Sequence, residues 1–400
     1  MKSIFKKMTA ACAAFAVMAA LLLSGAMAAE AAAVYSAADL FTSRDLAQEA
    51  DLSDAVFFAL SDGQDIRLTA GGVYVLTGEA KNVTVYVEAG QDDKVQIVLD
   101  GVSVTNADFP VIYAKSADKV FVTTSGDSSL SVTGRFTADG STNTDGVVFS
   151  KCDLVLNGTA VLTVSSTQNG IVGKDDLKIT GGAYSITAYA KAIQANDSIR
   201  MLDGTLYLIA GTDGLHAEND DDDALGYVYI GGGSLTIQAG DDGIHATSVA
   251  QIDGGSLTIQ AAEGIEGTYV QLNGGTIHIQ ASDDGINAAR KSRSYAAAVE
   301  INGGDITVVM GSGDTDGIDS NGSITVNGGT VNVTGRSTFD CDGAATYNGG
   351  TIIVNGQQVA YIPNQQMGGR GSWGGMNGDM NGGMNGGRNG GWGGRGGRGW

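Results

Sequence analysis

Short segments of the chain alternate between apolar and polar residues, which is typical of β-strands with one buried face. In residues 235–239 (LTIQA) the apolar side chains occupy every second position, and residues 257–261 and 277–281 show the same alternation. A Gly-Gly pair precedes each of these segments, which indicates a tight turn before each strand. No helix-forming pattern recurs between them. The pattern therefore predicts short strands connected by glycine turns.

The alternating segments belong to a longer repeat whose copies open with Asp-Gly-Ile or a close variant. Copies begin at Asp241, Ala262 and Asp283, and the motif glycines Gly243 and Gly264 are 21 residues apart. A unit this short cannot bury its apolar face alone, so neighbouring units must stack. A β-propeller or a sandwich would need hairpins and longer units. We therefore predict an all-β fold, a right-handed parallel β-helix (solenoid) with three short strands in each coil.

Two sets of residues beside the glycine turns make this prediction specific. Aliphatic residues in one slot before the turn are expected to form a buried ladder: Ile230, Ile252, Leu272, Ile301 and Val326. The residue before the Gly-Gly pair is Asp or Asn in the later units, which suits the positive-φ corner that we expect at this position. These residues are Asp253, Asn273, Asn302, Asn327 and Asn348.

Both ends of the chain depart from the repeat. Residues 1–28 combine a basic start, an apolar stretch and a small-residue cleavage site, which predicts a secretory signal peptide. Residues 29–56 form an N-terminal segment that we expect to cap the open first coil, and residues 57–366 form the β-helix domain. Residues 367–400 are rich in Gly, Asn, Met, Arg and Trp, and we expect a disordered tail. We therefore expect secretion to the medium or the cell surface, without a membrane span.

Acidic residues outnumber basic ones. The formal net charge is −21, and loss of the three signal-peptide lysines makes it −24. This excess argues against nucleic acid as a partner and favours cations, or polyanions that cations bridge. Only Cys152 and Cys341 follow the signal peptide. Because we expect about eight coils of about 4.8 Å between them, we predict two free thiols and no disulfide.

The repeat also aligns acidic residues on successive coils. Equivalent residues lie about 4.8 Å apart, where two carboxylates repel by about 3.5 kcal/mol at an effective dielectric of 20. Calcium suits this spacing, because oxygen ligands at about 2.4 Å on either side of one ion span one coil repeat. Two alternatives remain: solvated turn residues for each acid taken singly, and a zinc pair at His216 and His245. The predicted cofactor is Ca²⁺, with these candidate ligands: Asp213, Asp241, Asp242, Glu263, Glu266, Asp283, Asp284, Asn287, Asp316 and Asp319.

Basic residues are few, and two groups of them are candidates for contact with a substrate. Lys191 falls in the acidic series, where it either neutralises its neighbours or acts as the base that a lyase requires. Arg290, Lys291 and Arg293 lie on an insertion and could hold the carboxylate of a sugar, although an exposed loop explains them as well. Because no second base accompanies Lys191, the sequence favours binding without catalysis, and Lys191 is kept as the catalytic alternative.

The stretch 71–122 (GGVYVLTGEAKNVTVYVEAGQDDKVQIVLDGVSVTNADFPVIYAKSADKVFV), followed by the Asp-Gly-Ile coils, carries a family resemblance. It resembles the bacterial secreted carbohydrate-binding β-helix proteins, which contain calcium and are similar to family 9 pectate lyases. The resemblance covers residues 57–362 and implies binding of acidic or plant-type polysaccharide, with calcium held by aspartates of neighbouring coils. The sequence departs from this resemblance in its aromatic residues. All three tryptophans lie in the predicted tail, so the predicted β-helix domain offers no tryptophan on which a sugar could stack.

We therefore predict a secreted, calcium-dependent protein that binds acidic or plant cell-wall type polysaccharide, acting as a monomer. One alternative is a calcium-dependent, pectate-like polysaccharide lyase. The other is a structural surface protein or adhesin in which calcium only rigidifies the rod.

Overall fold

The computed structural model describes residues 33–312 and 315–363. The predicted signal peptide and the predicted tail lie outside the described residues. Within them, strands account for the regular structure and the only helix is α1 (Ala37–Leu40). No helix in these ranges has the length and apolar character needed to cross a membrane.

Short strands follow one another along the described chain, as the alternation predicts. In the first half they are β1 (Val56–Ala59), β2 (Ile66–Leu68), β3 (Gly72–Lys81), β4 (Val85–Glu88), β5 (Lys94–Asn106), β6 (Ile112–Ser116), β7 (Lys119–Thr124), β8 (Ser128–Val132), β9 (Gly146–Ser150), β10 (Asp153–Gly158), β11 (Val161–Ser166), β12 (Asn169–Gly173), β13 (Asp176–Ile179), β14 (Ala183–Ala188), β15 (Ile193–Ala195), β16 (Ser198–Met201), β17 (Thr205–Ala210) and β18 (Leu215–Ala217).

In the second half they are β19 (Tyr227–Ile230), β20 (Ser234–Ala239), β21 (Asp242–Ala246), β22 (Val249–Ile252), β23 (Ser256–Ala261), β24 (Glu263–Gly267), β25 (Tyr269–Leu272), β26 (Thr276–Ala281), β27 (Ile286–Ala288), β28 (Ala298–Ile301), β29 (Asp305–Met310), β30 (Asp316–Ser320), β31 (Ser323–Val326), β32 (Thr330–Thr334), β33 (Ser337–Cys341), β34 (Ala345–Tyr347), β35 (Thr351–Val354) and β36 (Gln357–Val359).

Strands three apart in the chain pair in parallel from β6 to β35, so each coil of this region contributes three strands. One strand of each coil enters a 12-stranded sheet, here called the motif sheet, because its later strands carry the Asp-Gly-Ile motif: β2, β4, β6, β9, β12, β15, β18, β21, β24, β27, β30 and β33. The other strands form a 24-stranded sheet, in which the long strand β5 pairs with both β7 and β8. The predicted all-β architecture of parallel strands is confirmed.

The apolar side chains point between the sheets and stack from coil to coil. The predicted aliphatic ladder is confirmed, since its five members are at most 1% exposed and pair in register from β19 to β31. Cys152 and Cys341 are both buried and do not form a disulfide with each other, as predicted.

The Asp and Asn residues before the Gly-Gly pairs do not adopt the positive φ that we predicted for them. The positive φ falls on the second glycine of each pair, for example +87° at Gly275, and not on Asn273. Among the described residues, Asn82 and Asn355 are the only non-glycine residues with positive φ. The turn amides instead bond across coils, because stacking brings identical amides within hydrogen-bond reach. In this amide ladder Asn273 donates to Asp253, Asn302 to Asn273, Asn327 to Asn302 and Asn348 to Asn327, at 2.7–2.8 Å.

Residues 33–55, here called the strap, lie along the flank of the stack and not over the first coil, where we expected a cap. The backbone amide of Tyr35 donates to Gln251 Oε1 at 2.8 Å, and the Tyr35 ring stacks on Tyr227 with centroids 4.2 Å apart. Further along, Gln48 Nε2 donates to the carbonyl of Thr180 at 2.9 Å. The strap therefore crosses from β22 back towards the first coils.

One buried acid anchors the strap. The Asp45 side chain is fully buried and contacts Lys178 Nζ at 3.0 Å and Lys119 Nζ at 3.2 Å. These lysines lie on β13 and β7, so one carboxylate joins two coils that are not adjacent. Burial alone would raise the pKa of Asp45, but the Thr42 amide and the two ammonium groups hold it below its usual range.

Candidate functional site

The Asp-Gly-Ile motif places two polar side chains, its first and fourth residues, on the outer face of the motif sheet. A glycine and an aliphatic residue, both facing the interior, lie between them. A Cβ added at Gly264 would lie 2.3 Å from the carbonyl oxygen of Gly285 and 2.5 Å from Ile279 Cγ2. The position therefore faces the packed interior and accepts only glycine. The chain bends there so that the first and fourth residues of the motif, such as Asp242 and His245, come within 2.7 Å of each other.

Two ladders result on the outer face of the motif sheet. The first ladder contains the residues that open the motif: Asp213, Asp242, Glu263, Asp284 and Asp316. The second ladder contains the fourth residues, which pair in strand register: His216, His245, Glu266, Asn287, Asp319 and Asp340. The acids that the sequence analysis aligned are thus neighbours in the structure. The first half of the ladders, from Asp213 to Glu266, differs in charge from the second half, from Asp284 to Asp340.

In the first half, histidine and lysine neutralise the acids. His216 Nδ1 lies 2.8 Å from Asp213, and Lys191 Nζ lies 3.7 Å from the same carboxylate. Burial alone would raise the pKa of Asp213, but His216 and Lys191 hold it below its usual range. Lys191, the catalytic alternative, therefore faces an acid of the next coil in a charge-balancing contact.

His245 occupies the centre of the next cluster. Its Nδ1 lies 2.7 Å from Asp242 and 2.9 Å from Glu266, and Lys291 Nζ lies 2.9 Å from Glu266 as well. Burial alone would lower the pKa of His245, but the two carboxylates raise it to about 9. Asp242 and Glu266 are therefore engaged by cations of the chain itself, although we had expected both to bind calcium.

In the second half the ladder acids face one another. Asp316, Asp319 and Asp340, here called the acid cluster, have carboxylate oxygens within 4.8 Å of one another. Burial, together with Asp284, Asp316 and Asp340, raises the pKa of Asp319 to about 7. Burial and neighbouring acids also raise the pKa of Asp284 to about 6. This half therefore carries a concentrated negative charge.

Oxygen atoms beside the acid cluster also lack partners. Asn287 Oδ1 and Asp316 Oδ1 are buried and accept no hydrogen bond within the described structure. The Asn287 amide nitrogen is used, since it donates to Glu263 at 3.0 Å. Burial and the nearby acids Glu266, Asp242 and Asp284 raise the pKa of Glu263 to about 7, against the lowering effect of Asn287. A buried unpaired oxygen costs free energy unless a donor or a cation satisfies it.

The donor set at the acid cluster fits a hard divalent cation. Carboxylate and amide oxygens are the ligands that calcium takes, in numbers of six to eight. Two of the candidate ligands lie apart from both ladders: Asp241 and Asp283 are exposed residues that precede their motifs. One residue was missed. The register pairs Ser337 with Asp316 and Asp340 with Asp319, in a strand that lacks the Asp-Gly-Ile signature.

A basic cleft lies at the end of β30, the strand that carries Asp316 and Asp319. The insertion between β27 and β28 lines a cleft of about 540 Å³ with Arg290, Lys291 and Arg293, together with Asn321, which directly follows β30. Both arginines are exposed, and Arg290 donates to the Asn321 carbonyl. The Arg290 guanidinium group therefore contacts a residue that lies two positions after Asp319 in the chain.

The raised pKa values predict that the metal-free protein loses stability as pH rises. A carboxyl whose folded pKa is raised stabilises fully below its unfolded pKa of about 4, and this contribution disappears as pH passes the folded value. For Asp319, at about 7, we expect a loss of about 2 kcal/mol between pH 4.5 and pH 8, allowing for its partial exposure. Urea unfolding in EDTA across this range measures the loss. Asp319→Asn should flatten the profile and the exposed Asp283→Asn should not; an unchanged profile in Asp319→Asn would contradict the prediction.

Comparison with known proteins shows the family to which this chain belongs. The family model for carbohydrate-binding domain-containing proteins matches residues 62–314 and 263–360. The chain belongs to this family.

Two individual proteins also match parts of this chain. A carbohydrate-binding domain-containing protein of Acetivibrio thermocellus is 30% identical over 130 residues, which are 31% of this chain and 46% of that protein. The alignment thus spans about half the length of this relative. The solved structure of the polysaccharide lyase-like protein from C. thermocellum, as a gadolinium derivative, matches with a TM-score of 0.48 and 26% identity. That match covers 56% of this chain and 93% of the other.

Proposed function

We propose that this protein is secreted and binds acidic or plant cell-wall type polysaccharide through calcium held at the acid cluster. Family membership establishes the carbohydrate-binding class. The observation that carries the finer proposal is the acid cluster, with its partnerless oxygens, next to the basic cleft. The proposal also includes a monomer, and a right-handed parallel β-helix related to family 9 pectate lyases. The parallel pairing of successive coils supports the handedness, because parallel crossover connections are right-handed in about 98% of cases.

Calcium would be held by oxygens of three successive coils. Asp316, Asp319 and Asp340 supply carboxylates, and the partnerless Asn287 Oδ1 supplies an amide oxygen. A divalent cation there would remove the repulsion that raises the pKa of Asp319. Because the ion prefers six to eight oxygens, these residues leave coordination positions for water or for a sugar carboxylate.

The glycan would be held between the cation and the cleft. A uronate carboxylate that completes the calcium coordination would lie beside Arg290 and Arg293, whose planar guanidinium groups match a carboxylate with two hydrogen bonds. A second polar surface lies on the other sheet, where outward residues pair in register as Thr236, Thr258 and His278, and as Gln238, Gln260 and Gln280. This flat face could extend the contact with a polymer.

Binding without cleavage is the form of this function that the distances support. Lys191 belongs to the coil of β15, five coils before β30, which is about 24 Å at 4.8 Å per coil. A lyase needs its base within hydrogen-bond reach of the proton and a cation on the neighbouring carboxylate. Lys191 is therefore too far from the acid cluster to act on a uronate bound there.

The test is retention of polygalacturonate, with a neutral polymer for comparison. We expect the secreted chain to sediment with calcium-treated polygalacturonate, and expect EDTA or Asp319→Asn to reduce retention at least about tenfold, since the bridging ion is lost. Asp283→Asn is the matched control, because this exposed carboxylate lies outside the ladders. Arg293→Gln should weaken retention without changing the rise in melting temperature on calcium addition.

Two outcomes would contradict the proposal. Equal retention in EDTA would show that calcium does not mediate binding. Steady formation of unsaturated products, followed by ultraviolet absorbance and abolished by Lys191→Ala, would show that the protein is a lyase.

A further inference from the structure

The stacked imidazoles of His216 and His245 form a second cluster of polar side chains on the same sheet. Their ring centroids are 4.4 Å apart with planes inclined by 17°. Both residues are more than nine-tenths buried. They occupy the same position on the adjacent strands β18 and β21. The two imidazoles are therefore parallel and mostly buried. Neither apolar packing in the core nor the calcium proposal explains this arrangement.

The carboxylates around the pair fix which ring atom is available. Nδ1 of His216 lies 2.8 Å from Asp213 and Nδ1 of His245 lies 2.7 Å from Asp242, each acid three residues earlier in the chain. The His245 contact is a hydrogen bond, whereas His216 meets Asp213 at ion-pair distance without hydrogen-bond geometry. Because Nδ1 of each ring faces its own acid, Nε2 is directed away from these acids. Metal-binding histidines characteristically use one ring nitrogen for such a carboxylate and the other for the metal.

Glu218 is the third member of this cluster. Its carboxylate lies 3.0 Å from His216 Nε2, and the ligand atoms of His216, Glu218 and His245 lie within 4.8 Å of one another. The ligands of a tetrahedral zinc ion, bound at about 2.0–2.1 Å, are separated by about 3.3 Å. A small tilt of the two rings towards each other would therefore bring these atoms around one ion, with a fourth position open on the side of the half-exposed Glu218.

The local charge agrees with a divalent ion. Four carboxylates contact the histidine pair, those of Asp213, Glu218, Asp242 and Glu266. Two ammonium groups contact this set, Lys191 at Asp213 and Lys291 at Glu266. With both imidazoles neutral, as metal ligation requires, the excess is two negative charges, which one divalent cation would balance.

We propose that His216, His245 and Glu218 bind one divalent transition-metal ion, of the zinc or cobalt class, at a site separate from the calcium-binding acid cluster. Two imidazole nitrogens select such ions over calcium and magnesium, which take oxygen ligands. Asp213 and Asp242, expected from the sequence to bind calcium, act here as positioning residues that orient the imidazoles. The bound ion would join two coils and present its open position to water or to a sugar oxygen.

Titration of the tag-free, EDTA-stripped chain tests this proposal. We expect one Zn²⁺ to bind per chain in calorimetry carried out with millimolar Ca²⁺ present, and Co²⁺ to give a visible absorption band at the same stoichiometry. His245→Gln and His216→Gln should weaken Zn²⁺ binding by about 100-fold, and Asp242→Asn by about tenfold. His278→Gln is the matched control: the chain has three histidines, and this one is exposed on the other sheet, so affinity should not change.

Glu218→Gln keeps the proposal testable if a histidine variant does not fold, because this side chain is about half exposed. Its Zn²⁺ affinity should fall at least about tenfold with an unchanged melting temperature of the metal-free protein. Equal affinity in Glu218→Gln and the parent, an equal loss in His278→Gln, or displacement of Zn²⁺ by millimolar Ca²⁺ would each overturn the proposal. The glycan retention assay uses neither Zn²⁺ nor these variants, so its failure would leave this result independent.

Discussion

Replacing Asp45 with asparagine is expected to lower the free energy of unfolding by about 4 kcal/mol. The Asp45 carboxylate is fully buried between Lys178 and Lys119, whose side chains are 7% and 11% exposed. Removing the negative charge leaves the buried Lys178 ammonium group without its carboxylate, and leaves Lys119 with only Asp153 at 3.5 Å. Removal of one partner from a buried ion pair costs about 3–5 kcal/mol for this reason.

Urea unfolding, with hydrogen exchange of the strap amides, measures this effect, and Asp39→Asn is the control. Asp39 belongs to the same strap but is exposed, so its change should stay within about 0.5 kcal/mol. The pKa of Asp45 is held below its usual range. Its contribution is therefore complete above the unfolded pKa of about 4 and disappears as pH falls below it. An effect of Asp45→Asn that does not shrink towards pH 3 would argue against the ion-pair explanation.

Replacing Gly264 with alanine is expected to cost about 3 kcal/mol. The new Cβ would meet the Gly285 carbonyl oxygen at 2.3 Å and Ile279 Cγ2 at 2.5 Å. The carbonyl belongs to the backbone of the next coil and cannot turn aside as a flexible side chain can. The coils would have to separate locally, which disturbs both outer ladders.

Gly267 is the matched control for this substitution, since it ends the same strand. A Cβ there would have its nearest neighbours at 3.4 Å, which is ordinary contact, and its register partner on the next coil is already an alanine, Ala288. Gly267→Ala should therefore be neutral, or stabilise by up to about 1 kcal/mol through the unfolded chain. Equal destabilisation by the two substitutions, measured by urea unfolding, would show that the motif glycine has no special packing role.

Most of the sheet architecture could be predicted from the sequence because its cause is local. Alternation shows which side chains are buried, and the motif spacing shows which residues share a coil position, as with Ile252 and Leu272. The positive φ was assigned to the wrong residue of the turn, since both asparagine and glycine tolerate that region. Only the stacking of coils shows that Asn273 is used for an amide ladder instead.

The candidate site was predictable in its positions and only partly in its chemistry. The ladder acids were identified from the repeat, yet Asp213 and Asp242 are engaged by histidines three residues later, a spacing that is visible in the sequence. The contact of Lys291 with Glu266 was not predictable, because an insertion brings the two residues together. Asp340 was missed because its strand lacks the Asp-Gly-Ile signature.

The docking of the strap has a consequence for the order in which the protein folds. Val34 and Tyr35 bond to Gln271 and Gln251, more than 200 residues later in the chain. During synthesis these early residues emerge long before the coils that receive them. They therefore cannot form these hydrogen bonds until the later coils have folded. The first part of the strap to emerge is the last to be secured, so its attachment reports that the stack has grown at least as far as β25.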